Sequence, residues 1–178
     1  MDPLSQATLG AAVAQSVSKK ADLARIGLIG ALAGMAPDLD VLIQSPTDPL
    51  LQLEYHRQFT HSLVFIPIGA LVCAVAFWPF VRRHMSFKAV WLTALAGYAT
   101  HGLLDACTTY GTLLLWPLSD ARIAWNTISV VDPLFTLPLL GFVIAAGVKQ
   151  SQLTVRLGIA WVAFYLCCLL YTSPSPRD

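Results

Sequence analysis

Long apolar runs alternate with short polar segments along this chain. Four runs are dominated by apolar residues, at positions 62–81, 89–106, 133–148 and 153–167. A shorter run rich in Gly and Ala lies at 23–36, and a small-residue segment at 5–17 is too short and too polar to predict a full membrane span. The pattern therefore predicts an all-α polytopic membrane bundle with about four to five membrane helices, some of them short or part-spanning.

Local signals locate helix starts and helix contacts. Asp-Pro-Leu occurs at residues 2–4, 48–50 and 132–134, and Asp followed by Pro is typical of a helix N-terminus. We interpret the three copies as caps and not as an internal repeat. Pro67 predicts a kink in the run at 62–81. A smooth face for close helix packing is predicted on the second helix by three glycines, Gly27, Gly30 and Gly34.

Composition supports a membrane protein. Of 178 residues, 56% are hydrophobic and 12% are charged, and the mean hydropathy is +0.65. A soluble domain carries about twice that charged fraction. The net charge of +1 gives no signal for a polyanion, so we expect membrane lipids and not nucleic acid as partners. The four cysteines lack the spacing of a zinc site or a disulfide framework, and we interpret them as small apolar residues.

The distribution of basic residues predicts an orientation. If the runs cross the membrane in turn, eight Lys and Arg residues share one side: Lys19, Lys20, Arg25, Arg82, Arg83, Lys88, Lys149 and Arg156. Arg177, near the C-terminus, is left out of this count, and of the other ten only Arg57 and Arg122 fall on the other side, together with most of the acidic residues. Because Lys and Arg are retained on the cytoplasmic side, the segments at 37–61 and 107–128 should face outward.

Three polar segments at this outer face contain side chains that bind metals. The six candidate ligands are Asp38, Asp40, His56, His61, His101 and Asp105. His101 and Asp105 are four residues apart, so they lie on one face of a helix and can reach the same ion. Imidazole with carboxylate suits zinc first, with manganese or iron as alternatives. Six candidates exceed the ligands of one zinc ion, so we expect one or two divalent metals.

Each segment also has a simpler interpretation. Asp38 and Asp40 follow a helix, where Asp often bonds to the backbone of its own turn. The histidines at 56 and 61 are compatible with an anchor in the headgroup region. His101 and Asp105 are compatible with a buried hydrogen-bonded pair. If no metal binds, three unrelated explanations must apply to three segments that meet at the same membrane face. A shared metal site explains all three segments at once and is the better hypothesis.

Three motifs together resemble those of a known family. PDLD at 37–40, HRQFTHS at 56–62 and GYATHGLLD at 97–105 are similar to the pattern of the YdjM family of bacterial inner-membrane proteins, commonly described as membrane-bound metal-dependent hydrolases. The third motif is completed by Thr108, Gly111 and Trp116-Pro117. The resemblance extends over residues 5–117, and it implies metal binding by all six candidate ligands.

One position departs from the family pattern. Many members carry a His near the N-terminus in a His-x-x-x-Gly segment, whereas Gln6 precedes Gly10 here. Gln is a poor ligand for transition metals. Either this chain lacks one ligand, or Asp2 takes its place.

Three functions are compatible with the motifs. The first is a hydrolase of the bacterial inner membrane with its site facing the periplasm, in which the metal activates water and the substrate is a lipid, a lipid-linked molecule or a phosphoester. Arg57 and Thr60 are its candidate residues for substrate contact or positioning. The second is a non-catalytic membrane protein with a structural metal. The third, a metal transporter or sensor, needs polar residues across the membrane, and residues 70–80 and 135–148 are apolar throughout their inner halves. We favour the hydrolase.

The last eleven residues, CLLYTSPSPRD at 168–178, match one reading frame of a transposon-end adapter used for sequencing libraries. We therefore interpret residues 1–167 as a single membrane-embedded domain, cut short at its last helix, and residues 168–178 as adapter read-through. The alternative is a natural polar tail rich in Pro and Ser.

Overall fold

The computed structural model describes residues 1–18, 22–43 and 56–172, and within these ranges the fold is all-helical. Its six α-helices are α1 (Pro3–Val17), α2 (Leu23–Met35), α3 (Ile66–Val81), α4 (Phe87–Ala106), α5 (Pro133–Lys149) and α6 (Gln152–Thr172). Two short 3-10 helices, Ala36–Leu42 and Phe59–His61, precede α3. The described ranges contain one isolated antiparallel bridge, between Thr112 and Ile123, and no strand. The predicted all-α class is confirmed.

Local sequence explains where the helices begin. Asp2 accepts a hydrogen bond from the backbone N–H of Ser5 at 3.0 Å, and Asp132 accepts one from that of Phe135 at 3.1 Å. Two of the three predicted Asp-Pro-Leu caps are therefore confirmed, and the third, at 48–50, lies outside the described residues. Pro67 lies in the first turn of α3, where Pro is tolerated, so the predicted kink at this residue is wrong.

Small residues bring α1, α2 and α4 into close contact. A Cβ atom on Gly10 would lie 2.5 Å from the carbonyl oxygen of Gly30, and one on Gly97 would lie 2.3 Å from the same oxygen. Gly34 packs between α1 and α4 in the same way. Because only glycine lets the backbones approach so closely, the predicted smooth face is confirmed at Gly30 and Gly34. Gly27 instead packs against the side chain of Gln15.

Successive helices run in opposite directions, so the bundle has two ends. The backbone N–H of Asp2 donates to the carbonyl oxygen of Val130 at 3.0 Å, which joins the start of α1 to the segment before α5. At the other end, the N–H of Leu23 donates to Oε1 of Gln150 at 2.9 Å. We call the first end the acidic end, with Asp38, Asp40, Asp105, Asp120 and Asp132. We call the second the basic end, with Arg25, Arg82, Arg83, Lys88, Lys149 and Arg156.

Among the described helices, α6 with its 21 residues is the one long and apolar enough to cross a membrane by length and composition. α3 and α5 are apolar but have 16 and 17 residues. α4 has 20 residues and carries Lys88, His101 and Asp105. The number of membrane-spanning helices therefore stays a prediction.

The C-terminal end of α6 can be compared with the predicted start of the adapter read-through at Cys168. α6 continues through Cys168 to Thr172, so the helix does not end where the native sequence was predicted to end. The remaining residues, 173–178, lie outside the described residues. Because a segment of any origin can continue a helix if its first residues are apolar, the interpretation of 168–178 as adapter read-through stays a prediction.

Candidate metal centre

Four of the six predicted ligands meet at the acidic end of the bundle. Asp38 lies on the first 3-10 helix, His61 on the second, and His101 and Asp105 lie one turn apart on α4. One donor atom from each residue lies within 4.8 Å of those of the other three. His61, His101 and Asp105 are buried, whereas the Asp38 side chain is 28% exposed. We call these four residues the His/Asp cluster, and it opens on the side of Asp38.

The donor atoms of the cluster face one another at short range. Nε2 of His61 lies 2.9 Å from Nε2 of His101. Oδ1 of Asp38 lies 3.2 Å from Nε2 of His101 and 3.5 Å from Nε2 of His61. Oδ2 of Asp105 lies 3.8 Å and 3.4 Å from the same two nitrogens. Two nitrogens and two oxygens therefore converge on one small volume.

Hydrogen bonds behind each ring assign the nitrogens that face the cluster. Nδ1 of His101 lies 2.6 Å from the carbonyl oxygen of Gly34, which can only accept, so this nitrogen carries the proton. The hydroxyl of Thr60 donates to Oδ2 of Asp40 at 2.9 Å, so Nδ1 of His61 donates to that hydroxyl oxygen, also at 2.9 Å. In its neutral form, each ring therefore presents an unprotonated Nε2 to the cluster, as metal-binding histidines do.

Asp105 is the most enclosed carboxylate of the cluster. Its Oδ1 contacts the α-amino group of Met1 and accepts a hydrogen bond from Nε2 of Gln6 at 3.0 Å. Its Oδ2 is buried and makes no hydrogen bond to any described residue, and it lies 3.5 Å from Nε of Arg57. A buried carboxylate oxygen without a hydrogen bond is costly, and the Arg57 guanidinium offsets part of that cost.

The other two predicted ligands, Asp40 and His56, lie one layer outside the cluster. Nδ1 of His56 lies 2.8 Å from Oδ1 of Asp40. Oδ2 of Asp40 accepts hydrogen bonds from the backbone N–H of Arg57 at 3.0 Å and from Thr60. Both oxygens of Asp40 are thus engaged, and the residue supports His61 from behind. The described donor atoms form one four-residue group, and a second ion at Asp40 and His56 would require these two side chains to separate.

Arg57, a candidate for substrate contact, is held at the edge of the cluster. Its φ of 63° is unusual for a residue with a side chain. The backbone is fixed by Asp40 on one side and by the N–H of Leu113, which donates to its carbonyl oxygen at 3.3 Å. The guanidinium carbon lies 5.4 Å from the ring centroid of Tyr110, and buried Nη1 has no hydrogen-bond partner among the described residues. Strained residues of this kind are concentrated at functional sites.

Electrostatics favour charged carboxylates next to the two rings. Burial opposes the ionisation of Asp38, but interaction with the His101 and His61 rings in their protonated form outweighs it and holds the pKa of this carboxyl well below its usual range. For Asp40, burial is outweighed by the hydrogen bonds from His56 and the Arg57 backbone, which lower its pKa. Burial also opposes protonation of His61, but the neighbouring carboxylates outweigh it and raise its pKa.

The donor set fits a divalent transition metal. With the tautomers assigned above, two Nε2 lone pairs lie 2.9 Å apart with no proton between them, and two carboxylate oxygens adjoin them. The Met1 ammonium and the Arg57 guanidinium offset the charge of Asp105, but the two facing Nε2 lone pairs and Asp38 still favour a cation or an additional proton between them. Two imidazoles and two carboxylates suit zinc, manganese or iron. Which of these metals binds stays a prediction.

Gln6, the departure from the family pattern, lies directly beside the cluster. Its side chain is fully buried, and Nε2 bonds to Asp105 and to the carbonyl oxygen of His101 at 3.3 Å. Its Oε1 has no hydrogen-bond partner among the described residues. Asp2 is used as the cap of α1, with its side chain bonded to Ser5, so it does not take the place of Gln6.

Two supporting groups were not assigned from the sequence. The carbonyl oxygen of Gly34 orients the ring of His101, and no side-chain pattern marks a backbone group of this kind. The hydroxyl of Tyr98 donates to the carbonyl oxygen of Thr60 at 2.9 Å, which ties the second 3-10 helix to α4. Tyr98 belongs to the GYATHGLLD motif, and its place in that motif could have identified it as a supporting residue.

Comparison with known proteins agrees with a membrane protein. The family model described as YdjM inner membrane protein matches residues 1–175. Inner membrane protein YbcI of Escherichia coli (strain K12) is 36% identical over 114 residues, which are 60% of this chain and 62% of YbcI. Uncharacterized protein YfhP of Bacillus subtilis (strain 168) is 26% identical over 151 residues, which are 83% of this chain and 46% of YfhP. The chain thus spans less than two thirds of either relative. No solved structure matches it.

Proposed function

The chain belongs to the YdjM inner membrane protein family, and from this and the His/Asp cluster we propose that it is a membrane-embedded metal-dependent hydrolase. The observation that carries the proposal is the convergence of the two unprotonated Nε2 atoms with two carboxylates at a position that is open beside Asp38. A structural metal site is closed by protein ligands, whereas a catalytic site keeps a position open. Catalysis at this cluster therefore requires a water ligand beside Asp38, which is the partly exposed member of the four.

The described residues would have separate roles at such a site. A divalent ion held by the His/Asp cluster would activate water and polarise a scissile ester or phosphoester bond. Thr60 and Asp40 keep His61 in the tautomer that presents Nε2. Asp38 borders the side from which a substrate enters. Arg57 offers an unpartnered Nη1–H to a phosphate or carboxylate oxygen of the substrate.

We also propose that the acidic end faces the periplasm and that the protein crosses the inner membrane several times. The described basic residues lie mainly at the basic end of the bundle, and only Arg57 and Arg122 lie at the acidic end. This asymmetry supports a cytoplasmic basic end. The apolar helices α3, α5 and α6 and the central position of α1 support a multi-pass arrangement.

Metal analysis combined with a hydrolysis panel tests the proposal. Protein purified in detergent without chelator would be loaded with zinc, manganese or iron and its bound metal measured by mass spectrometry. His61→Ala, His101→Ala and Asp105→Ala should each lose most of the metal, because each removes a ligand. Cys107→Ala and Arg122→Ala are matched controls near the cluster and should keep it. The panel would contain a phosphomonoester, a phosphodiester, a carboxylic ester and phosphatidylglycerol in mixed micelles.

The outcomes separate the candidate functions. Metal binding together with hydrolysis of one substrate class, both lost in the three ligand variants, supports the proposal. Stoichiometric metal that is lost in those variants, with no hydrolysis of any substrate, would favour a structural metal site. Metal binding by wild-type protein that does not exceed that of a variant with all three substitutions overturns the metal site itself, and His101 with Asp105 would then be a structural hydrogen-bonded pair.

A further inference from the structure

An apolar groove starts at Asp38, the partly exposed member of the His/Asp cluster, and continues along α3. Its volume is about 630 Å³, within the range of small-molecule sites. α2 and α3 form its walls, and Tyr98 on α4 lies between them. Its polar side chains include Asp38, Asp40 and Thr60, which belong to the site at the acidic end. Much of its remaining lining is apolar and includes Leu32, Met35, Phe65, Val72, Ala76 and Phe77. We call this feature the α2–α3 groove.

The groove is as long as one leaflet of a membrane is deep. It follows α3 from Phe65 to Phe77, which corresponds to roughly 18 Å at the helical rise of about 1.5 Å per residue. The hydrocarbon core of a bilayer is about 30 Å thick, so one leaflet contributes about 15 Å. An acyl chain whose headgroup lies at the acidic end can therefore extend along the whole groove.

The groove also borders a surface suited to lipid. The flanking side chains on α2 and α3 are apolar and exposed, as at Leu28, Ile68, Leu71 and Val75. In an inner-membrane protein, an exposed apolar surface of this kind contacts the acyl chains of the bilayer. α2 and α3 pack extensively on α4 but little on each other, so the space between them is accessible from the side. A lipid can thus enter without leaving the membrane.

The polar end of the groove complements a phosphate. Arg57 does not line the groove but lies behind its polar end, with Nε 3.5 Å from Oδ2 of Asp105 and a buried, unpartnered Nη1–H, and a guanidinium suits phosphate oxygens. Asp38, Asp40 and Asp105 would repel an anion on their own, so a phosphate requires the bound metal ion as a second cationic partner. This half of the inference therefore rests on the proposed function, whereas the fit of the acyl chain does not.

We propose that the α2–α3 groove binds an acyl chain of a membrane lipid and places the lipid phosphate at the His/Asp cluster beside Arg57. The substrate class of the site is then a phosphate-bearing lipid. A water-soluble phosphoester lacks the chain that fills the groove. A neutral lipid lacks the phosphate that the metal and Arg57 would bind.

Photo-crosslinking tests the groove in the intact protein. The protein would be placed in phosphatidylcholine nanodiscs that contain phosphatidylglycerol with a diazirine in one acyl chain, and the labelled residues would be mapped by mass spectrometry. We expect label on residues lining the groove, such as Val72 and Phe77. Ala76→Trp should lose this label because the indole fills the groove. Val75→Trp is the matched control, since Val75 is the next residue of α3, is 60% exposed and does not line the groove.

Competition with unlabelled lipids tests whether the site recognises the lipid phosphate. Unlabelled phosphatidylglycerol should remove the label more effectively than diacylglycerol with the same chains, and glycerol 3-phosphate should not remove it. Arg57→Gln, or removal of the metal with a chelator, should abolish the preference for phosphatidylglycerol while the groove is still labelled. Val72→Trp serves as a second groove-filling variant if Ala76→Trp does not fold.

The results distinguish this inference from the proposed function. Equal groove labelling in Ala76→Trp and Val75→Trp, at unchanged metal content, would overturn the groove as a lipid site and leave the metal site standing. Equal competition by diacylglycerol and phosphatidylglycerol in the metal-loaded protein would overturn the placement of the phosphate. If the protein binds no metal, the proposed function fails, and groove labelling still decides whether an acyl chain binds.

Discussion

Nε2 of His61 and Nε2 of His101 lie 2.9 Å apart, although 40 residues separate the two histidines in the chain. Hydrogen bonds at Nδ1 fix the orientation of both rings. Nδ1 of His61 is bonded to Thr60, and Nδ1 of His101 is bonded to the carbonyl oxygen of Gly34. The two rings are therefore oriented toward a common partner before any ion arrives. Such preorganisation lowers the cost of binding, because the ligands do not have to be rearranged.

The hydroxyl of Thr60 should influence metal affinity without being a ligand. Thr60→Val removes the link between Asp40 and Nδ1 of His61, and loss of an outer partner of a metal ligand typically costs about 10–100-fold in affinity. Thr60→Ser keeps the hydroxyl and should retain most of the affinity. Titration against a chromophoric zinc chelator measures both variants. Equal affinities of Thr60→Val and wild-type protein would contradict the assigned hydrogen-bond chain.

Gln6→His should tighten metal binding. The Gln6 side chain is fully buried with Nε2 at 3.0 Å from Asp105, so an imidazole at this position adds a nitrogen ligand beside the cluster. Gln15→His is the matched control, because Gln15 is also buried on α1 but bonds to the carbonyl oxygen of Leu23 at the basic end. The same chelator titration applies. A similar change of affinity in both variants would show that the effect is not local to the cluster.

Gly97→Ala should destabilise the bundle. Its Cβ would lie 2.3 Å from the carbonyl oxygen of Gly30, and overpacking of a tight contact typically costs about 1–3 kcal/mol. Gly141→Ala is the control, since nothing lies within 4 Å of a Cβ there, and Ala in a helix interior is favoured over Gly by about 0.5–1 kcal/mol. Unfolding in mixed detergent micelles measures both. Equal stabilities would refute the close packing of α2 and α4.

The two ends of the bundle should be reached from opposite sides of the membrane. In a background without the native cysteines, His84→Cys probes the α3–α4 connection at the basic end and leaves the Ser86 cap of α4 intact. Asp120→Cys probes the acidic end. An impermeant thiol reagent added to intact cells with a permeable outer membrane should label position 120 and not position 84. Labelling of position 84 alone would reverse the proposed orientation.

The last eleven residues should differ in the natural gene. Sequencing of the genomic locus with a different library chemistry should give codons that depart from CLLYTSPSPRD near Cys168 and continue an apolar helix. This expectation follows from the residue-for-residue match of 168–178 to a transposon-end adapter. Recovery of the same eleven codons from genomic DNA would show that the tail is native.

The sequence by itself determined the helices and the ends at which they meet. Asp2 and Asp132 predicted helix starts because a carboxylate before a proline satisfies the first backbone N–H groups, which is a local effect. The spacing of His101 and Asp105 placed both on one face of α4, because helix geometry fixes residues four apart. The alternation of apolar runs then placed Asp38 and His61 at the same end, since each helix reverses the direction of the one before.

Only the tertiary structure decided which polar residues share the site. Asp40 and His56 are as good ligands as Asp38 and His61 by residue type, yet Nδ1 of His56 lies 2.8 Å from Oδ1 of Asp40 and both residues stay outside the cluster. Gln6 enters the site because Gly10, Gly30, Gly34 and Gly97 let α1, α2 and α4 approach closely. These outcomes depend on distances between segments far apart in the chain, and the local properties of a residue do not encode such distances.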